Sequence, residues 1–340
     1  MSLIPHACAA RTGWRRVACF VRHRMASSAL QTTVVLAISL ATAACQSLVA
    51  PTPEKLQSWT TQLRAAQPED AFLAVYAHGR QRLIFVGAKH ATRVDSLTFR
   101  LIDQTYASFH IDTVIVEGPH YSWGANADRL IRWIASQHET DGFLEAGEIV
   151  PAVRQARERG AQVWGGEPDD ANIRDRVFAQ GFSSRDLLGF YTLRSVPQWI
   201  SERKIEGAAD ERVKPLIAAE LEHNRQRLAL PATVLPEYNA WSEWYAQTNR
   251  KDFGVAFDPE ETGPLSDGGY RSSRIAEAIS HARDQFLLSI IAQHLNAREN
   301  IMVVFGASHL MILRPALDSM LGVACYIGDD LKSAASRCPA

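Results

Sequence analysis

The chain has 340 residues, 46% of them hydrophobic, and a formal charge of −1. That is enough apolar material for one large core or for a domain carrying an insertion. The charge balance lacks the basic excess of a nucleic-acid binder, and no apolar run reaches the ~20 residues of a membrane-spanning helix.

The first 44 residues carry Arg11, Arg15, Arg16, Arg22 and Arg24 and no acidic side chain. An apolar stretch over 34–40 follows, then Ala41-Thr42-Ala43-Ala44 and Cys45. A basic region, a short apolar region and small residues before a cleavage point predict a secretory signal peptide over 1–44. Small residues before a cysteine resemble a bacterial lipobox, with Thr42 where leucine is usual. Cys45 is then either the lipidated mature N-terminus or simply follows an ordinary cleavage site. A lipid would tether the protein to a membrane without spanning it, and Gln46 after the cysteine resembles sorting toward an outer membrane. The expected location is the cell envelope or periplasm. Loss of 1–44 leaves 31 basic against 37 acidic side chains, a charge of −6, which argues further against nucleic acid as a partner.

Residues 45–70 read as a linker and a polar helix over 53–66. Phe72-Leu73-Ala74-Val75-Tyr76 and Leu83-Ile84-Phe85-Val86 are apolar, β-prone runs joined by a turn at His78-Gly79-Arg80-Gln81, which predicts a β-hairpin. Val94, Leu97, Leu101, Ile102 and Tyr106 recur at helical spacing over 93–109. A buried strand over 113–116 ends at Glu117-Gly118-Pro119. Helices over 128–136 and 148–159 lead to a strand over 162–164 that ends at Gly165-Gly166-Glu167. Strands alternating with helices predict an α/β fold from residue 71 to 340, with a largely parallel or mixed central sheet flanked by helices.

No strand pattern occurs over 171–249. Helical patterns over 187–200, 213–228 and 234–248 predict an α-helical insertion. Residues 251–273, rich in Gly, Pro, Asp and Ser, read as a long loop. A helix over 275–295, a strand over 301–305, a helix over 311–320 and a strand over 323–327 complete the domain. Cys325 and Cys338 either close a disulfide, as an oxidising compartment permits, or remain a buried and a loose thiol.

One internal repeat connects the two ends of the domain. Leu83-Ile84-Phe85-Val86-Gly87-Ala88-Lys89-His90 aligns without gaps to Met302-Val303-Val304-Phe305-Gly306-Ala307-Ser308-His309. Each copy reads as an apolar strand, then Gly-Ala-x-His, then a helix. Ligands of open α/β sheets bind beyond the carboxyl ends of strands. His90, Glu117, Glu167 and His309 all stand at such ends, so they are expected on one rim as a metal site or an acid–base site. Gly87 and Gly306 are expected to permit sharp turns and to keep the backbone close to whatever the imidazoles hold.

Other motifs are weaker. His138-Glu139-Thr140-Asp141-Gly142 starts like a zinc-protease helix and fails. Gly306-Ala307-Ser308-His309-Leu310 partly resembles a nucleophile elbow, but Leu310 replaces the final glycine and His309 is badly placed to serve Ser308. No glycine-rich phosphate loop is present. Tyr238, Trp241, Trp244 and Tyr245 have helical spacing and read as a packed helix face, with a ligand or haem cleft as the alternative.

A strand followed by Gly-x-x-His, a strand ending in Glu-Gly, an Arg-Asp pair at Arg283-Asp284 and a second Gly-x-x-His resemble the Tiki/TraB superfamily. That superfamily includes GumN-like, ChaN-like and erythromycin-esterase-like proteins. The resemblance spans about residues 83–309, with no match in the helical middle. It implies a hydrolytic site built from His90, Glu117, Arg283 and His309, with Glu167 as a further candidate. In the metal-dependent branches His90, Glu117 and His309 would hold a divalent metal ion, and a metal-bound water would attack a carbonyl. In the esterase-like branch histidine and glutamate activate water directly. Arg283 would stabilise an oxyanion or a substrate carboxylate. The ChaN-like branch implies haem binding without hydrolysis. The partners implied are a peptide, an ester or a haem-type ligand; a non-catalytic binding protein on the same fold is the third class.

Overall fold

The computed structural model describes residues 48–254 and 257–338. The expected signal segment 1–44 and Cys45 lie outside the described residues.

Six strands make one mixed sheet: β1 (Phe72–His78), β2 (Gln81–Ala88), β3 (Thr113–His120), β4 (Gln162–Glu167), β5 (Ile301–Gly306) and β6 (Tyr326–Gly328). Their spatial order is β4-β3-β5-β2-β1-β6. The four strands from β4 to β2 run parallel, and β1 is antiparallel to both of its neighbours. The expected hairpin is present, with His78 paired to Gln81 across a two-residue turn in which Gly79 adopts φ +59°. A positive φ there is what a tight hairpin turn requires.

The helices are α1 (Thr61–Ala65), α2 (Leu97–Ser108), α3 (Asp128–Ser136), α4 (Ile149–Glu158), α5 (Asp170–Ala179), α6 (Ser184–Leu193), α7 (Ser195–Ser201), α8 (Val213–Arg227), α9 (Tyr238–Asn249), α10 (Arg271–Asn296), α11 (Ala307–Leu321) and α12 (Leu331–Arg337). None of the described helices is long and apolar enough to cross a membrane.

Period-two alternation assigns each strand residue to one of two faces. Leu73, Val75, Ile84, Val86, Val114 and Val304 pack against α2, α3, α4 and α12. Phe72, Ala74, Phe85, Ile115, Val303 and Phe305 pack against α10 and α11. The helical segment α5–α9 has its own core, in which Trp241, Trp244 and Tyr245 are buried. The aromatic run is therefore a packed helix face.

Helix α10 joins the two cores. Its first half (Ile275, Ala276, Ala278, Ile279) packs into the helical segment, and its second half (Leu287, Leu288, Ile291, Leu295) covers the sheet. Arg283 and Asp284 fall between the two halves.

Several boundaries differ from the sequence reading. The expected helix over 53–66 is a 3₁₀ turn (Pro53–Lys55) and the short α1, with an extended stretch between them. Trp59 in that stretch is buried against Leu265 and Ile312, and Gln57 N donates to the Ile312 carbonyl. Docking on α11 overrides helical continuity there. Helix α2 starts at Leu97, not 93, because Ser96 caps it by accepting from Phe99 N. Helix α11 starts directly after Gly306, four residues earlier than expected. Helices α5 and α12 are additional to the expected ones. The last strand is only three residues long, and Val323, expected within it, is 81% exposed.

Cys325 and Cys338 form a disulfide, with Cα atoms 5.8 Å apart. It ties β6 and α12 together at the edge beside β1.

Candidate active site

The repeat places its two copies on neighbouring parallel strands, β2 and β5. They pair one residue out of step with the sequence alignment, Ala88 opposite Gly306 and Gly87 opposite Phe305. A one-residue slip exchanges the faces of a strand, so the two motifs are not equivalent in space. His309 lies in the first turn of α11. His90 lies in a loop seven residues ahead of α2, contrary to the strand–turn–helix expectation for that copy. This loop is held from outside: Glu148 accepts from Ala91 N, and Thr98 Oγ1 donates to the Lys89 carbonyl.

Gly87 lies within β2 and makes no turn. Gly306 is where β5 gives way directly to α11, but its φ of −51° does not itself require glycine. Closeness is what they supply. A Cβ on Gly306 would lie 3.2 Å from His90 Nε2, 3.5 Å from Glu117 Oε2 and 3.7 Å from His309 Cδ2. The Cα of Gly306 is thus the floor of a space bounded by both histidines and the glutamate. A Cβ on Gly87 would instead meet Ala307 Cα, Leu310 Cδ2 and the Phe72 carbonyl at 3.2 Å, in the packing beneath.

Glu117 reaches this space because β3 bulges after Val116, with Gly118 at φ +99°. The bulge needs room from β4. A Cβ on Gly165 would sit 2.1 Å from the Pro119 carbonyl oxygen, so only glycine lets the strands approach there. Glu117 Oε1 accepts from Arg283 Nη2 and Oε2 accepts from Gly306 N, both at 2.7 Å. Arg283 Nε donates to Glu167 Oε2 at 2.7 Å, and its Nη2 donates to Glu167 Oε1 as well. Arg283 therefore locks Glu117 to Glu167 in a charge-assisted fork.

Each histidine has its own carboxylate. His90 Nδ1 is 2.6 Å from Glu148 Oε1, and His309 Nδ1 is 2.6 Å from Asp284 Oδ1. The Nε2 atoms both face Glu117, at 3.9 Å from His90 and 3.6 Å from His309. Those separations are ion-pair distances, too long for hydrogen bonds. Successive residues of α10 project about 100° apart, which lets Arg283 reach the glutamates while Asp284 reaches His309.

The two imidazoles differ in setting. The His90 side chain is 66% exposed and that of His309 7%. Burial disfavours charge on His309, but Asp284 and Glu117 outweigh it and push its pKa up to about 10. The hydrogen bond that His90 donates to Glu148 raises its pKa against partial desolvation, with Glu117 adding to the rise. Burial works against the Glu117 carboxylate, yet His309, Arg283 and the Gly306 N–H together hold its pKa well below the ordinary value. Burial likewise opposes the charge of Arg283, and Glu167 and Glu117 more than restore it.

The sequence-derived candidates His90, Glu117, Glu167, Arg283, His309 and Gly306 thus come together. Sequence reasoning missed two anchors, Glu148 and the role of Asp284. Glu148 showed only as a residue ahead of a helix. Asp284 sat inside the quoted Arg-Asp pair, and an aspartate in a helix that is otherwise apolar toward the sheet was a usable signal; it is fully buried, with Oδ2 lacking any hydrogen-bond partner. Ser308 forms no hydrogen bond to either histidine among the described residues.

Two imidazoles and a carboxylate are suitable donors for a first-row divalent ion, and carboxylates on Nδ1 are the usual orienting partners of ligand histidines. As arranged, however, they do not make a ligand set: Arg283 and the Gly306 amide already hold both Glu117 oxygens. Among the described residues no group of three His, Cys, Asp or Glu side chains converges on one ion position.

A cavity of about 560 Å³ opens from His90 and Glu117, walled by Trp123, Leu130, Trp133 and Ile149. A second cavity of about 200 Å³ is also bordered by Gly118 and is lined by Glu167, Arg194, Arg227 and Arg283. In comparisons with known proteins, no family model, no curated protein and no solved structure matches this chain.

Proposed function

We propose that the protein is a hydrolase of ester or peptide-type carbonyl compounds, working in the cell envelope. The observation that carries this reading is the convergence of His90 Nε2, Glu117 and His309 above Gly306, with His90 and Glu117 at the mouth of the large apolar cavity.

In this reading the roles follow from environment. His90 is the accessible imidazole, and its Nδ1 is fixed by Glu148, so Nε2 is the atom that takes the proton of an attacking water. His309 is buried and carries positive charge at neutral pH, so its Nε2–H meets negative charge developing on the carbonyl oxygen. Glu117 is held ionised and orients the two imidazoles. Arg283 is a positioning residue: its charge is committed to Glu117 and Glu167, in place of the oxyanion contact expected from sequence. The resemblance to the Tiki/TraB superfamily supports the same reaction class, and the signal-like N-terminus with Cys45 supports export and a lipid tether.

A second reading is favoured by one observation, the carboxylate on the Nδ1 of each histidine. In it, His90, Glu117 and His309 would hold a divalent metal whose chemistry is activation of water, which requires Glu117 to exchange Arg283 or the Gly306 amide for the ion. The deciding experiment is turnover of chromogenic esters and peptides by wild type, His90→Ala and His309→Ala, with elemental analysis and an absorption spectrum of each. Hydrolysis lost in both variants without bound metal supports the His90-based mechanism. Stoichiometric metal lost with activity supports the second reading, and a Soret band on adding haem with no turnover by wild type would overturn both.

A further inference from the structure

The large cavity that His90 and Glu117 border is built for more than a small acyl group. Its volume of about 560 Å³ is several times the ~150 Å³ that suffices to hold benzene. Its apolar walls come from the turn after β3 (Pro119, Trp123), one face of α3 (Leu130, Trp133) and the start of α4 (Ile149). No hydroxyl and no side-chain amide lines it.

The charges at its border favour a neutral occupant. Glu117 and Glu148 both face the cavity, and both are already satisfied, Glu117 by Arg283 and the Gly306 amide, Glu148 by His90 Nδ1 and the Ala91 amide. They gain little from a cationic ligand and repel an anionic one. Arg129, the arginine of the lining, is exposed, so solvent screens its charge, and its guanidinium lies over the Trp123 ring.

The two tryptophans differ in how they are held. Trp123 is fixed by Arg129 and by His120, stacked on it with ring centres 5.6 Å apart. Trp133 is 44% exposed and has no aromatic or cationic partner among the described residues, although Leu130 and Ile134 of the same helix are buried. A single exposed tryptophan is ordinary on a surface. Here it lines an apolar cavity beside the candidate catalytic groups, where an aromatic ligand covers it and stacks on it. We infer that the site takes substrates with an uncharged aromatic arm larger than one ring, packed against Trp123 and Trp133. This names the substrate class of the proposed hydrolase and rests on that reading only for the identity of the reacting bond.

The test is calorimetric binding of N-methyl-2-naphthylacetamide, N-methylphenylacetamide and 2-naphthylacetate to wild type, Trp133→Ala, Trp133→Phe and Phe178→Ala. The naphthyl amide is expected to bind wild type at least about fivefold tighter than the phenyl amide, through the apolar area of its second ring. It should also bind at least about fivefold tighter than the anionic naphthylacetate, whose charge is costly to bring into an apolar cavity. The naphthyl-to-phenyl preference should fall below about twofold in Trp133→Ala and persist in part in Trp133→Phe. Phe178→Ala removes an aromatic that is 37% exposed and outside this cavity, and should leave the preference intact. Equal binding of the two amides to wild type, or no binding of either, would overturn the inference. So would tighter binding of the acid than of the naphthyl amide, an undiminished preference in Trp133→Ala, or an equal loss in Phe178→Ala. Binding is read without turnover, so this preference in a protein that hydrolyses no ester sinks the hydrolase reading alone. Ester hydrolysis without the preference sinks this inference alone.

Discussion

Replacing Gly306 by alanine places a methyl group where the chemistry is proposed to occur. The new Cβ would stand 3.2 Å from His90 Nε2 and 3.5 Å from Glu117 Oε2. A reacting atom must itself lie about 3–3.5 Å from its base, and a displacement of about 1 Å costs on the order of 10²-fold in rate. A loss of about 10²-fold or more in kcat/KM is therefore expected. Stability should change little, because φ −51° suits any residue. Alanine is merely a weaker N-cap than glycine, at about 1 kcal/mol or less, or roughly 2–4 °C in Tm. Gly87→Ala is the control. Its Cβ would press at 3.2 Å on two backbone atoms and Leu310, an overpacking cost of about 1–3 kcal/mol, with activity per folded molecule retained. Hydrolysis of a chromogenic ester panel and thermal melting of both variants read the two effects. A Gly306→Ala enzyme within threefold of wild type, or Gly87→Ala losing activity without losing stability, would refute the placement of the site.

Other consequences can be measured separately. Arg283→Met leaves Glu117 and Glu167 without their shared counter-charge; breaking a buried pair costs about 3–5 kcal/mol, and the 25% exposure of the Arg283 side chain puts this case near the lower end. Urea unfolding should show that loss, and adding Glu167→Gln should recover at least ~1 kcal/mol of it; no recovery would mean the two residues are not coupled. Glu148→Gln replaces the carboxylate whose hydrogen bond raises the pKa of His90 with a neutral amide, which favours the imidazolium less. Activity that needs neutral His90 falls as pH drops through that raised pKa, so the acid limb of the kcat/KM profile should move to lower pH in the variant, and an unmoved limb would remove His90 as the base. Cys338→Ser opens a disulfide whose cysteines are 13 residues apart, which by loop closure is worth about 3 kcal/mol; the lower Tm should match that of reduced wild type, while turnover at 25 °C stays unchanged.

The parts of the fold carried by local pattern were legible in the sequence. Apolar β-prone runs marked the strands, helical periodicity marked the long helix α10, and the repeated Gly-Ala-x-His marked both histidines at strand ends. What escaped depends on contacts between distant residues. Trp59 breaks an expected helix because it finds a pocket beside Leu265 and Ile312, some 200 positions along the chain. The one-residue slip between β2 and β5, and the placing of His90 in a loop but His309 in a helix, are differences that identical motifs cannot reveal. Glu148 and Asp284 look like ordinary acidic residues until folding sets them against imidazole nitrogens. Glycine at 306 was expected to keep the backbone close to the imidazoles, and it does: its backbone angles are common, and it is the neighbouring side chains that exclude a methyl.

The order of the strands fixes when the site can exist during synthesis. Strand β5 sits between β2 and β3, although it is made more than 180 residues after either of them. Until it emerges, β2 and β3 have no shared neighbour, Glu117 has no Gly306 amide to hold it, and His90 has no floor beneath it. Domains made from the N-terminus onward begin to fold as they appear, but here every fragment ending short of residue 301 lacks both the second histidine and the strand that lies between β2 and β3. A chain cut off early is left with an unpaired gap in the middle of its sheet, exposed strand edges that invite pairing with other chains, and no assembled site.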